Sequence, residues 1–297
     1  MTITRRSVVA GGLASALGER ISRAAAPAGM VEIPAGDFTM GEGQDAHRVY
    51  LDGFHMAKYL VTNAEYKAFA DAAGGVGLPR YWRGGAFPED KANHPVLWVS
   101  WNDAQKYCAW RSRESGRAVA LPTEAQWEKA ARGPQGFQYP WGNDADPRNL
   151  NYNGLCARKY RLQVTADGQA PGWRDFTETA EYRALVGRGG FTTPVDAFPQ
   201  GKSAYGCFDM AGNAWEWCLD WYMRDYFKLA DAGRNPQGPS RDQADEVNRA
   251  AERGKCKVIR GGSWYAHLSS ARSLYRQETR GPEAGYHSVG FRVVING

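Results

Sequence analysis

Outside its N-terminal segment, this 297-residue chain contains no run approaching the roughly 18 apolar residues of a membrane-spanning helix, so no span is predicted there. Its five cysteines, Cys108, Cys156, Cys207, Cys218 and Cys256, are odd in number and form no CxxC pair, which removes a zinc-ribbon reading. The five histidines, His47, His55, His94, His267 and His287, show no HxxxH or HxxxHxE spacing, so a compact histidine metal site is unsupported. No dinucleotide fingerprint or flavin motif is present. Neither internal repeats nor a linker divide the chain, and a single domain is expected over residues 27–297.

What is abundant is tryptophan (11) and glycine (35), a pairing that suggests large rings pinning irregular backbone while glycines turn it. Regular secondary structure is therefore expected to be sparse. The N-terminus places the pair Arg5-Arg6 ahead of a short Gly/Ala-rich segment and the small residues Ala24 to Ala28, the pattern of a twin-arginine signal over residues 1–26. Its removal takes four arginines and one glutamate, lowering the formal charge from +5 to +2. No basic tract is left to support binding to nucleic acid or to an anionic membrane surface. The expected location is the periplasm, reached through the twin-arginine export machinery. That oxidising setting permits up to two disulfides, with Cys156, Cys207, Cys218 and Cys256 better candidates than Cys108, which reads as a buried free thiol.

Strands are predicted around Met30–Gly41 and Arg48–Met56. Three helix starts follow, at Thr62-Asn-Ala-Glu65, Ser100-Trp-Asn-Asp103 and Thr123-Glu-Ala-Gln126, each with a capping hydroxyl three residues before an acid or amide. After Gly133 helical periodicity fades. Residues 156–192 read as an insertion, with a short helix possible around Asp175–Tyr182; Asn235–Lys255 reads as a surface helix or a loop.

Five segments carry a family signature in order: Leu121–Glu128, Tyr139-Pro-Trp-Gly-Asn143, Tyr205–Trp217, Arg260-Gly-Gly-Ser-Trp264 and Gly290-Phe-Arg292. Together they resemble the formylglycine-generating enzymes, the sulfatase-modifying factor family, over nearly all of residues 30–295. The resemblance implies an α+β fold, irregular and loop-rich, related to C-type lectins, with about three capped helices and short antiparallel strands. In that family two cysteines five residues apart hold copper(I). Here those positions are Ala266 and Ala271. A methyl group offers a soft metal nothing, so copper is not expected.

The resemblance also implies a calcium site in Asp209–Glu216, with side-chain oxygen from Asp209 and Glu216 and carbonyls of Gly212 and Ala214. Two carboxylates around a glycine turn suit a hard cation; a turn with Glu216 in a salt bridge is the competing reading. A second family calcium site would begin at Asn151 and Tyr152 and stays open. Ser263 and His267 match active-site positions, with His267 the candidate for moving protons or else a loop histidine. Trp215, Trp264 and Tyr265 are candidate stacking surfaces for substrate. Arg260, Arg272 and Arg276 read by default as supports for loop carbonyls, with Arg260 also placed among substrate contacts.

Two functions follow. An exported branch of the family includes a periplasmic protein that matures pyoverdine, which implies an oxidoreductase acting on a peptide-derived chromophore, its redox cofactor unidentified and its calcium structural. The alternative is a non-catalytic, calcium-stabilised binding or assembly factor for an exported enzyme.

Overall fold

The computed structural model describes residues 26–226, 233–250, 255–278 and 281–296. The twin-arginine segment therefore lies outside the described residues except for Ala26. In chain order the strands and helices are β1 (Met30–Ile33), β2 (Gly36–Met40), β3 (His47–Leu51), β4 (Phe54–Ala57), α1 (Asn63–Ala73), α2 (Trp101–Ser115), β5 (Val119–Ala120) and α3 (Glu124–Arg132). They continue with α4 (Asn153–Lys159), α5 (Trp173–Thr177), α6 (Ala180–Val186), β6 (Trp215–Trp221), α7 (Arg241–Ala250), β7 (Lys257–Arg260), β8 (Arg276–Glu278), β9 (Val289–Gly290) and β10 (Val294–Asn296).

The three expected helix starts are α1, α2 and α3. Thr62 Oγ1 accepts from the Glu65 backbone N–H at 3.2 Å while Glu65 Oε2 accepts from the Thr62 N–H at 2.8 Å. Thr123 and Gln126 repeat this exchange, and Ser100 Oγ caps the Asp103 N–H. Each reciprocal bond satisfies two donors that a helix end leaves orphaned. Where two N-terminal strands were expected there are four, because Pro34 withholds a ladder donor and Asp52-Gly53 turns the chain.

The last strand closes the domain onto its beginning. β10 lies between β4 and β5, antiparallel to both, in a sheet ordered β1-β4-β10-β5. β2 and β3 form a separate hairpin. The third sheet, β8-β7-β6-β9, joins β6 to β9 in parallel and carries the site region. Two large apolar clusters fill the interior, one around Tyr66, Tyr107, Trp217, Trp264 and Phe291, the other around Met56, Trp127, Met210 and Val258. No described helix is long and apolar enough to cross a membrane.

The disulfide expectation is corrected. All five cysteines are buried as thiols and none is joined in a disulfide among the described residues. Cys207, Cys218 and Cys256 point into one apolar cluster, Cys108 and Cys156 into the other, and burial pushes Cys156 up to about 12 and Cys207 to about 11. They behave as small core hydrophobes.

Asp220 at the end of β6 gives a pH prediction. Burial, followed by the nearby Glu124 carboxylate, pushes Asp220 up to about 7, although its Oδ2 accepts from the Glu124 N–H at 2.8 Å. Its native pKa thus lies above the unfolded value, the native state holds the extra proton, and stability is lost as pH rises through 7. Asp220→Asn keeps an acceptor for Glu124 and removes the charge. We expect this variant to gain on the order of 2–4 kcal/mol over the parent between pH 5 and pH 8, read by urea melts at both pH values. An unchanged difference would show that Asp220 is ionised at both.

Candidate functional site

After β7 the chain turns sharply at Gly261 and Gly262, with φ of +97° and +77°. A Cβ on Gly262 would meet the Ala271 Cα at 3.1 Å, so only glycine lets the two ends of the 260–271 strip approach this closely. The strip sends its side chains in different directions. Ser263 is buried at 1% exposure, and its Oγ accepts from the Tyr265 N–H at 3.3 Å within its own loop. Trp264 is wholly buried, with its ring against Gly190, where any Cβ would lie 2.5 Å from it. Tyr265, Ala266 and His267 emerge at an open cleft of about 370 Å³.

Trp215 from β6 and Gln277 from β8 form further walls of this cleft. Ser270 of the strip adds to them, and the insertion supplies Trp173, Arg174 and Thr177 of α5. The insertion is more structured than its charge pattern suggested, because Trp173, Phe176 and Tyr182 at helical spacing anchor α5 and α6 in the core. Trp173 sits 5.8 Å from the Tyr265 ring. Behind Tyr265 the His287 imidazole lies 4.9 Å away, and burial holds it neutral, down to about 4. That leaves Nε2 free to accept the Tyr182 hydroxyl proton at 3.0 Å, fastening α6 behind the cleft. His267 itself is exposed, with Nδ1 3.3 Å from Asn153 Nδ2 at the start of α4.

The cleft thus gathers Trp215, Tyr265 and His267 from the residues singled out in the sequence. It excludes Ser263, Trp264 and Arg260. Arg260 is fully buried and donates to Glu124, Glu128 and the Ser273 carbonyl at 2.6–2.8 Å, so it is a scaffold residue, and its place among substrate contacts is corrected. Arg276 likewise grips Glu124 through two nitrogens, whereas Arg272 pairs at the surface with Glu42 at 3.3 Å. Sequence reasoning missed Trp173, Arg174 and Gln277; the aromatic spacing Trp173, Phe176 was the available signal.

The Asp209–Glu216 segment does not form a calcium cage as arranged. Both Glu216 oxygens are taken by Arg292, at 2.6 and 2.7 Å, and Oε2 also accepts from Trp127 at 3.0 Å. The Gly212 carbonyl accepts from the Ala214 N–H at 2.8 Å. Asp209 Oδ2 is held by Asn213 Nδ2 at 2.9 Å, and burial pushes its carboxyl up to about 7, against ionisation. The competing sequence reading, a turn with Glu216 in a salt bridge, is the geometry found. At Asn151 the side-chain Oδ1 is buried without a partner among the described residues. The two copper positions carry only methyl groups, Ala266 at the cleft and Ala271 buried beneath Gly262, and these do not fit a thiophilic ion.

Residues 18–297 match the model for the sulfatase-modifying factor enzyme 1-like domain. The chain belongs to the formylglycine-generating, sulfatase-modifying factor family. It is 31% identical to the formylglycine-generating enzyme of Mus musculus, over 89% of this chain and 74% of the relative. It is 32% identical to the inactive C-alpha-formylglycine-generating enzyme 2 of Bos taurus, over 71% of this chain and 55% of that one. Among solved structures it resembles PvdO from Pseudomonas aeruginosa, with a TM-score of 0.65 and 24% identity, covering 90% of this chain and 94% of that one. That likeness establishes a shared formylglycine-generating-enzyme-like fold, α+β with short, mainly antiparallel strands and, here, seven α-helices among the described residues.

Proposed function

We propose that this protein is an exported, periplasmic member of the family that acts in oxidative maturation of a peptide-derived natural product, the chromophore of a pyoverdine-type siderophore. The observation that carries the reading is the cleft itself: aromatic walls of Trp173, Trp215 and Tyr265 around an exposed imidazole, beside Ala266, one of the two positions where the family's copper cysteines would stand. Rings of this kind stack a flat substrate. His267 is the proton acceptor in this reading, since it is the exposed imidazole at the cleft and an imidazole nitrogen can act as a general base. Aromatisation of a dihydro ring releases two electrons and two protons. His267 takes one proton and solvent the other, and the two electrons pass to dioxygen as external acceptor, which with two protons becomes hydrogen peroxide.

Deletion of the gene in a siderophore-producing source strain tests this, with mass spectrometry of the secreted peptides. Accumulation of a product heavier by two hydrogens, relieved by the parent gene but not by His267→Gln, is the expected result. An unchanged siderophore would sink the assignment. It would favour the second reading, a binding or assembly factor, which is supported by the two methyl side chains at the copper positions and by Ser263 facing its own loop instead of His267.

A further inference from the structure

Among the described residues, the lining of the cleft carries one guanidinium and no carboxylate. Arg174, exposed at the rim on α5, has no hydrogen-bond or ion-pair partner for its guanidinium among those residues. That is unlike many of this protein's surface arginines. Arg48, Arg148, Arg188, Arg234 and Arg272 each face a carboxylate at 2.7–3.5 Å. The neighbouring Trp173 cannot swing away, because its buried ring is held by Phe176 at 5.6 Å and Tyr182 at 6.2 Å. Its indole N–H is itself a buried donor with no acceptor among the described residues. One turn of the insertion therefore combines a fixed aromatic surface with two unsatisfied donors, opposite the rings of Trp215 and Tyr265.

We propose that the cleft binds a planar aromatic ring bearing a carboxylate, with Arg174 as the residue that selects the anion. The rings supply area that any flat molecule could use; the guanidinium supplies a fork whose geometry matches two carboxylate oxygens. Charge-assisted bonds of this kind are strong enough to discriminate by about ten- to a hundred-fold. The inference rests on reading this cleft as the substrate site, yet it concerns binding alone. The oxidation can fail in the deletion strain while the binding preference stands.

Calorimetric titration of the purified protein with 2-naphthoate and with the uncharged 2-naphthamide tests it. The parent should bind the carboxylate at least ten-fold more tightly than the amide. Arg174→Gln should abolish that preference while leaving amide binding unchanged, and Trp215→Ala should weaken both ligands. Arg174 is exposed, so its replacement leaves the core intact, which a thermal melt would verify. No binding of either probe to the parent, no preference in the parent, or a preference that survives Arg174→Gln would each overturn the proposal.

Discussion

Replacing Glu216 by alanine is expected to destabilise the protein by about 3–5 kcal/mol, equally in calcium and in chelator. Glu216 and Arg292 are both fully buried and bound through two parallel N–H···O contacts of 2.6 and 2.7 Å. Arg292 also donates to the carbonyls of Phe208 and Ala57 at 2.7 and 3.1 Å, so it ties the start of the chain, the 208–216 turn and β9–β10 together. Removing the carboxylate leaves a guanidinium in the core with nothing to neutralise it. Most of the loss is that uncompensated charge, not the strength of the pair. Glu216→Leu combined with Arg292→Leu should therefore recover much of the stability lost in Glu216→Ala, as a double-mutant cycle by urea melts would record. A parent whose stability rises with calcium, and an alanine variant that has lost only that increment, would make Glu216 a metal ligand and defeat the ion-pair account.

The helix starts were legible because capping is local: Thr62 with Glu65 and Thr123 with Gln126 are complete within four residues. The family signatures were legible too, but they report on scaffold more than on chemistry. Glu124 and Glu128 of the Leu121–Glu128 segment, Glu216, Arg260 and Arg292 all prove to be buried ion-pair partners. Ionic groups that must meet in the core across about a hundred residues make recognisable motifs without touching a ligand. The cleft was only half legible. Nothing in Ser263-Trp264-Tyr265 says which side chain turns inward after two glycines with positive φ; the packing of Trp264 against Gly190 settles it. In the sequence the insertion reads as holding at most one short helix because its charges at Arg174, Asp175, Glu178 and Glu181 obscure the aromatic residues Trp173, Phe176 and Tyr182 that anchor α5 and α6. That anchoring is the reason a segment unlike the signatures supplies one wall of the site.

Glu124→Ala should be comparably damaging, costing about 3–5 kcal/mol, and should take the cleft with it. One carboxylate serves two guanidiniums: Oε1 accepts from Arg260 Nη1 and Arg276 Nε, both at 2.6 Å, and Oε2 from Arg276 Nη2 at 2.8 Å. Burial alone would raise its pKa, but Arg276 and Arg260 hold it below the ordinary carboxylate range. A depressed native pKa contributes stability above the unfolded value that is lost as pH falls through the native one, so the parent should weaken in acid partly through this group. Arg260 ends β7 and Arg276 begins β8, so the same carboxylate fixes both flanks of the 260–276 strip on α3. Without it Tyr265, His267 and Gln277 lose their common frame. Arg272→Ala is the control, because its pair with Glu42 is 35% and 53% exposed and water screens such pairs to about 0–1 kcal/mol. Urea melts of the two variants decide the matter. A Glu124→Ala loss within 1 kcal/mol of the Arg272→Ala value would mean that the strip is held by its glycine turn and apolar contacts, and that the buried charges follow the fold instead of fixing it.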